Sequence, residues 1–221
     1  MTPTPEFDES TGQLRLAEET FTALLASTGP DRPSRDAAKR MSEQLDLLKA
    51  CGALGRRGRV HRTLDEPLEV IHDPLCSLEL SYSGKTMRGW ANPATAALLL
   101  PADSEGLRPL TYLDYYLVPE ALAKLVDLEP RPGNKHSTPA PYEDGMFAEE
   151  RRRWSLRTTF HVTEDGLGLT STIEVLDADG GFWYLRPDDL GVLVAWPLTP
   201  TDVWRLITRI TMSHNDPSAP S

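Results

Sequence analysis

PEALAKLV (119–126) and PTDVWRLI (200–207) share one pattern: a proline, then apolar residues three, six and seven positions on. Proline fixes φ and lacks an N–H, so it suits the first turn of a helix, where that donor has no partner. Apolar residues at this spacing lie on one helical face. Two helices are therefore expected, near 118–127 and 200–211, with Leu122, Leu125 and Val126 inward in one and Val203, Leu206 and Ile207 in the other.

What precedes each helix also recurs. Before the first the period is two: Leu78, Leu80 and Tyr82 alternate with polar neighbours, Ser83-Gly84 turns the chain into Thr86–Trp90, and Thr95–Leu100 and Leu110–Tyr116 read as two more strands. Before the second come Leu156–Val162, a turn at 164–166, Leu169–Leu176, a turn at DADGG (177–181), Phe182–Leu185 and Gly191–Trp196. The two sets open at Leu78 and Leu156, about as far apart as the two prolines. This predicts an α+β fold: a central antiparallel sheet with helices packed on it and a quasi-two-fold internal repeat, a β-meander plus helix, twice. The alternative is that any meander followed by a helix yields such a match.

Outward from the repeat, Gln13–Leu16 reads as a short strand and Ala17–Ser27 as a helix stopped by GPDRP (29–33). Ser34 is placed as an N-cap for one helix running to Cys51, with Ala37, Ala38, Met41, Leu45, Leu48 and Cys51 on a stripe and Gly52 to end it. A short apolar segment, Leu64–Ile71, follows. EPRPGNKHSTPAPYEDG (129–145) reads as a proline-rich linker without regular structure. The expected organisation is a polar tail over 1–12, one domain over 13–213 with halves near 13–128 and 146–213, and a second tail over 214–221.

The totals narrow the function classes. A chain of 221 residues buries about 70% of its surface on folding, enough for a core without metals or cross-links. The net charge of −10, from 33 acidic and 23 basic side chains, disfavours nucleic acid and anionic lipid as partners. Cys51 and Cys76 have no disulfide-framework spacing and read as free thiols. Residues 1–12 carry no secretory signal pattern, and Ala94–Leu100 is too short to span a bilayer. A cytoplasmic protein that does not insert in membranes is expected.

No catalytic or metal pattern stands up, and no cofactor is expected. SGKT (83–86) lacks the upstream glycine and following helix of a phosphate-binding loop, and reads as a hairpin turn. His61, His72, His136, His161 and His214 have no zinc-ligand spacing; His161 reads as a surface or edge histidine. Asp177 and Asp179 open like a calcium loop, but Gly181 and Asp188 break the ligand series. Glu149 and Glu150 fall in a charged, helix-like run with Arg151–Arg153. Arg56, Arg57, Arg59 and Arg62 form the one basic cluster, read as a solvated loop, with docking of an acidic partner as the other reading.

The closing segment supplies candidate partner-binding residues. Phe182, Trp183, Tyr184 and Leu185 are consecutive, so both faces of that strand are apolar or aromatic. Trp204 lies about 100° around the helix from Val203, off the inward stripe. Trp204 and one of Trp183 or Tyr184 are thus candidates for exposed anchors, unless flanking segments cover them.

Four stretches, taken in order, resemble the EspG family: GQLRLAEETFTALL (12–25), AAKRMSEQLDLLKACGALGRRGRVHRTLDEPLEVI (37–71), LVPEALAKLVDLEPRPG (117–133), and IEVLDADGGFWYL (173–185) with WPLTPTDVWRLI (196–207). The resemblance covers roughly residues 12–211 and implies a quasi-two-fold α+β fold on a central antiparallel sheet. It also implies a chaperone of type VII (ESX) secretion in actinobacteria, whose partners are secreted helical client proteins. Mycobacterial members bind PE–PPE pairs and cover the apolar tip of the PPE partner. Between the PRPG exit and Trp154 this chain has about twenty residues where fuller members carry helices, which makes it a shortened member. The rival expectation is a small-molecule-binding or enzymatic α+β domain with a pocket between sheet and helices.

Overall fold

The computed structural model describes residues 3–30, 34–130, 138–143, 145–147, 150–161, 168–178 and 181–212. It is an α+β fold of antiparallel sheet and six α-helices among those residues. The chain forms two compact units, Met1–Leu75 with Met87–Tyr115, and Cys76–Thr86 with Tyr116–Ser221.

The first unit carries β1 (Glu6–Asp8), β2 (Gln13–Leu16), β4 (Lys85–Ala91, from Met87 on), β5 (Thr95–Leu99) and β6 (Arg108–Asp114), ordered β1-β2-β6-β5-β4. Four residues of β5, Ala96–Leu99, are buried in succession, as expected of a strand covered on both faces. Within the tail expected over 1–12, Glu6–Asp8 instead forms a hairpin arm with residues 13–15. Asp8 Oδ1 accepts the Ser10 N–H (2.9 Å), Gly12 takes φ +72°, and Phe7 meets the His61 ring at 5.1 Å. A local side-chain turn and one half-buried aromatic, packed against the core, thus order a segment whose composition looks loose.

Its helices are α1 (Glu18–Thr28), α2 (Arg35–Arg40), α3 (Ser42–Ala50) and α4 (Asp65–His72). The single helix expected over 35–51 is two, broken at Met41, where φ −94° and ψ 4° leave the helical region. Only Leu48 of the expected stripe is buried, so little packing holds the two pieces in line. Ser34 does cap α2, accepting the Ala37 N–H at 3.3 Å, and Gly52 ends α3 at φ +90°. The core joins Leu14, Leu16, Phe21, Leu24, Leu48, Leu54, Leu64, Leu68 and Leu99. Glu18 ties α1 to the sheet by pairing with both Arg88 and Arg108.

The second unit carries β3 (Cys76–Tyr82), β7 (Ala140–Pro141), β8 (Glu150–Phe160), β9 (Leu169–Ala178), β10 (Gly181–Pro187) and β11 (Leu193–Leu198), ordered β3-β8-β9-β10-β11-β7. After β3, Ser83 and Gly84 both take positive φ, 48° and 72°, the signature of a two-residue hairpin turn. Two expectations change here. The run at 149–153 is strand from Glu150, not helix-like: Trp154 is buried on one side while Arg153 pairs with Glu174 at 2.5 Å on the next strand. Alternation at period two outweighs the run of charge. Within the linker, Ala140–Pro141 pairs with Val194–Ala195. Pro197 stands at an outward position of β11, where its missing N–H costs no ladder bond.

The two expected helices of the second unit are present as α5 (Val118–Leu125) and α6 (Pro200–Met212), and α6 lies against β8, β9 and β11. The turn expected at 164–166, part of that at 177–181, the stretch 131–137 with His136, and the tail 214–221 with His214 lie outside the described residues.

Candidate functional site

Two of the three candidate residues converge on α6. Thr199 fixes where that helix starts. Its Oγ1 accepts the Asp202 N–H (3.1 Å) and donates to Asp202 Oδ2 (2.6 Å), which also accepts the Thr199 N–H (3.0 Å). This is a reciprocal cap in which Asp202 takes the part usual for glutamate. The Thr199 hydroxyl, then the Thr199 N–H, holds the Asp202 carboxyl below its ordinary 3.8, against the opposing effect of burial. With the start fixed, the helical repeat buries Val203, Ile207, Ile210 and Thr211 and leaves Trp204 40% exposed.

Beside Trp204 runs an open groove of about 510 Å³, walled by Leu128, Glu129 and Pro130 opposite Thr199, Pro200 and Thr201. The exit of α5 builds that wall. Asp127 adopts the left-handed conformation (φ 57°), the Asp127 N–H donates to Lys124 O (3.2 Å) and the Leu128 N–H to Ala123 O (2.9 Å). These two bonds form a Schellman turn with aspartate where glycine is usual. Arg152 holds the turn by pairing with Asp127 at 2.9 Å and donating to Val126 O at 3.4 Å. The result sends Leu128–Pro130 past the start of α6.

A second groove, about 380 Å³, lies on the other side of α6, where half-buried Tyr184 and buried Ile173 face Leu206, Arg209 and Ile210. Leu206 is about 200° around the helix from Trp204, so the two aromatic candidates flank one helix. Trp183 does not join them. Its partner in register is Leu176, whereas Tyr184 pairs with Val175, so Trp183 points to the opposite sheet face. There it is 2% exposed, among Leu176, Ala178, Leu185 and Ala195, with the Phe147 ring at 4.8 Å. Trp183 is a core residue, covered by a flanking segment.

Sequence patterning missed two apolar side chains. Leu190 is 88% exposed and Val192 46% at the tip between β10 and β11. The Asp188 carboxylate fixes that tip by accepting the Leu190 and Val192 N–H groups, each at 2.9 Å. Flanking aspartates and a glycine make the segment read as an ordinary turn. Glu129 and Pro130 of the facing wall likewise read as linker.

The described histidines sit in local hydrogen bonds: His72 Nε2 with Thr28 Oγ1 (2.8 Å), His61 Nδ1 with Thr63 Oγ1 (2.9 Å), and exposed His161 Nε2 with Ser77 Oγ (2.6 Å). Among the described residues no three His, Cys, Asp or Glu side chains come together as a metal-ligand group, and no helix is long and apolar enough to cross a membrane.

No protein-family model matches the chain, and no curated protein matches it significantly. A solved structure does. It is that of the Mycobacterium tuberculosis type VII secretion system chaperone EspG5, determined in complex with the PE25-PPE41 dimer. The likeness covers 95% of this chain and 98% of that one, with a TM-score of 0.58 at 11% identity. The fold of this chain is therefore that of the EspG5 chaperone.

Proposed function

We propose that this chain is a shortened member of the EspG family: a cytoplasmic, non-catalytic chaperone that holds a secreted helical client of a type VII (ESX) secretion system in an actinobacterium. The observation that carries it is the likeness to EspG5 over nearly the whole of both chains. It adds to a sequence resemblance that runs from 12 to 211 in order.

The grooves beside α6 fit such a client. A helix or helix pair presents apolar side chains three and four residues apart, and a shallow groove with an aromatic at its rim receives them. Trp204 is fixed from below by a capped, packed helix, so it loses little freedom on binding. Tyr184 offers an apolar ring with a hydroxyl that can donate to a client carbonyl. The Trp204 groove is the main seat, since its walls are apolar apart from Thr199, Thr201 and Glu129.

The test is substitution at the rim. Trp204→Ala is expected to weaken client capture by about 1–2 kcal/mol or more, a rise in Kd of roughly five- to thirty-fold or greater. The melting temperature should hardly move, because the ring is 40% exposed. Unchanged capture with unchanged stability removes this groove from the function.

A further inference from the structure

A separate surface lies in the first unit. The hairpin between α3 and α4 presents Arg56, Arg57 and Arg59, with Arg62 just after it, and all four are exposed. The loop is built, not loose. Gly55 N–H donates to Arg59 O (2.7 Å), Gly58 N–H to Gly55 O (2.8 Å) and His61 N–H to Ala53 O (3.0 Å), and Leu54 bridges Val60. Its base is buried: Ala53 and Leu54 belong to the core and Val60 packs against it. Gly58 takes φ +73° with open space around it, so the tip is a tight turn that stands clear of the body.

The guanidinium groups on this turn have no acidic partner among the described residues. The chain carries 33 acidic side chains, and in the same unit Arg15, Arg88 and Arg108 all find carboxylates. We propose that the Arg56–Arg62 turn is a docking point for an acidic segment of a partner protein, with two or more closely spaced Asp or Glu side chains. The planar, five-donor guanidinium matches a carboxylate in bidentate fashion, and because the turn is already hydrogen-bonded its backbone needs no ordering on binding.

Other anions fit less well. A polyphosphate chain that runs past the tip comes within about one Debye length, ~8 Å, of a chain of net charge −10 that repels it, whereas two adjacent carboxylates can end at the tip. Nucleic-acid binding without sequence preference also relies on aromatic platforms, and residues 53–62 contain no Phe, Tyr or Trp. A lipid surface needs an apolar anchor beside the charge. None of the exposed large apolar side chains among the described residues lies in this turn.

This inference does not depend on the client-binding proposal, and one experiment separates the two. The full chain is titrated with fluorescent octaglutamate, with an eight-nucleotide single-stranded DNA and with phosphatidylglycerol-containing vesicles. Saturable octaglutamate binding is expected that weakens as salt rises from about 50 to 200 mM. The triple substitution Arg56→Gln, Arg57→Gln and Arg59→Gln should weaken it about ten-fold or more. Trp204→Ala should bind the peptide as the parent chain does, whether or not it loses its client. A photo-crosslinking octaglutamate on the unsubstituted protein should mark residues 54–62, which keeps the test sound if the triple variant is less stable. Absent peptide binding, undiminished binding by the triple variant, crosslinks elsewhere, or tighter binding of DNA or vesicles would each overturn the proposal.

Discussion

Two tryptophans from one aromatic-rich segment have opposite fates, and the difference is one of strand register and helix phase. Trp183 is 2% exposed, so Trp183→Ala should open a cavity and cost about 3–5 kcal/mol in denaturant unfolding. Trp204→Ala should cost little stability and act on binding. If the two losses are alike in size, the burial described here is wrong. The period of the pattern told only that Phe182–Leu185 alternates between faces. Which face closes depends on Phe147, distant in sequence, folding back over Trp183. Cys76 shows the same dependence: burial pushes its thiol up to about 12, so it should resist alkylation at pH 8 until the chain unfolds. Rapid labelling of Cys76 in the native state would contradict this.

Elements were most legible where a local rule sufficed. The prolines at 119 and 200, the Ser34 cap, the Ser83-Gly84 turn and Gly52 each act within a few residues, and each is found as expected. Elements that depend on distant partners were not legible. β1 needs β2 and His61, β7 needs β11, and the strand character of Glu150–Arg153 needs β9. The break at Met41 is invisible to a stripe that counts apolar residues without knowing whether a surface exists to bury them. For α6 the cap makes a pH prediction. The Asp202 carboxyl is held below 3.8, so its contribution to stability is fully present above that value and lost as pH falls through the lower, folded-state value. Thr199→Ala should cost about 1 kcal/mol near neutral pH and flatten the acid limb of the stability curve. An acid limb identical to the parent's would show that the bond does not form in solution.

Across the whole molecule, four strands followed by a helix occur in chain order from Cys76 to Leu125 and again from Glu150 to Met212. We propose that these stretches are related by a quasi-two-fold axis; an experimental structure in which the two do not superpose, strand on strand and helix on helix, would refute this. The α6 grooves were only partly foreseeable. Pattern put Tyr184 on a strand and Trp204 on a helix, where the structure has them, but the opposing wall at Leu128–Pro130 exists because Asp127 adopts a left-handed turn held by Arg152, a conformation uncommon for any residue but glycine. The proposed role is that of a carrier for a secreted helical protein. Its most direct measurement is the intact mass of the tagged chain isolated from its native host, with the bound chains identified. A defined complex with a secreted helical protein is expected, and the Trp204→Ala form should come out depleted of it. Recovery of the chain alone, or with partners that are not exported, would contradict the claim.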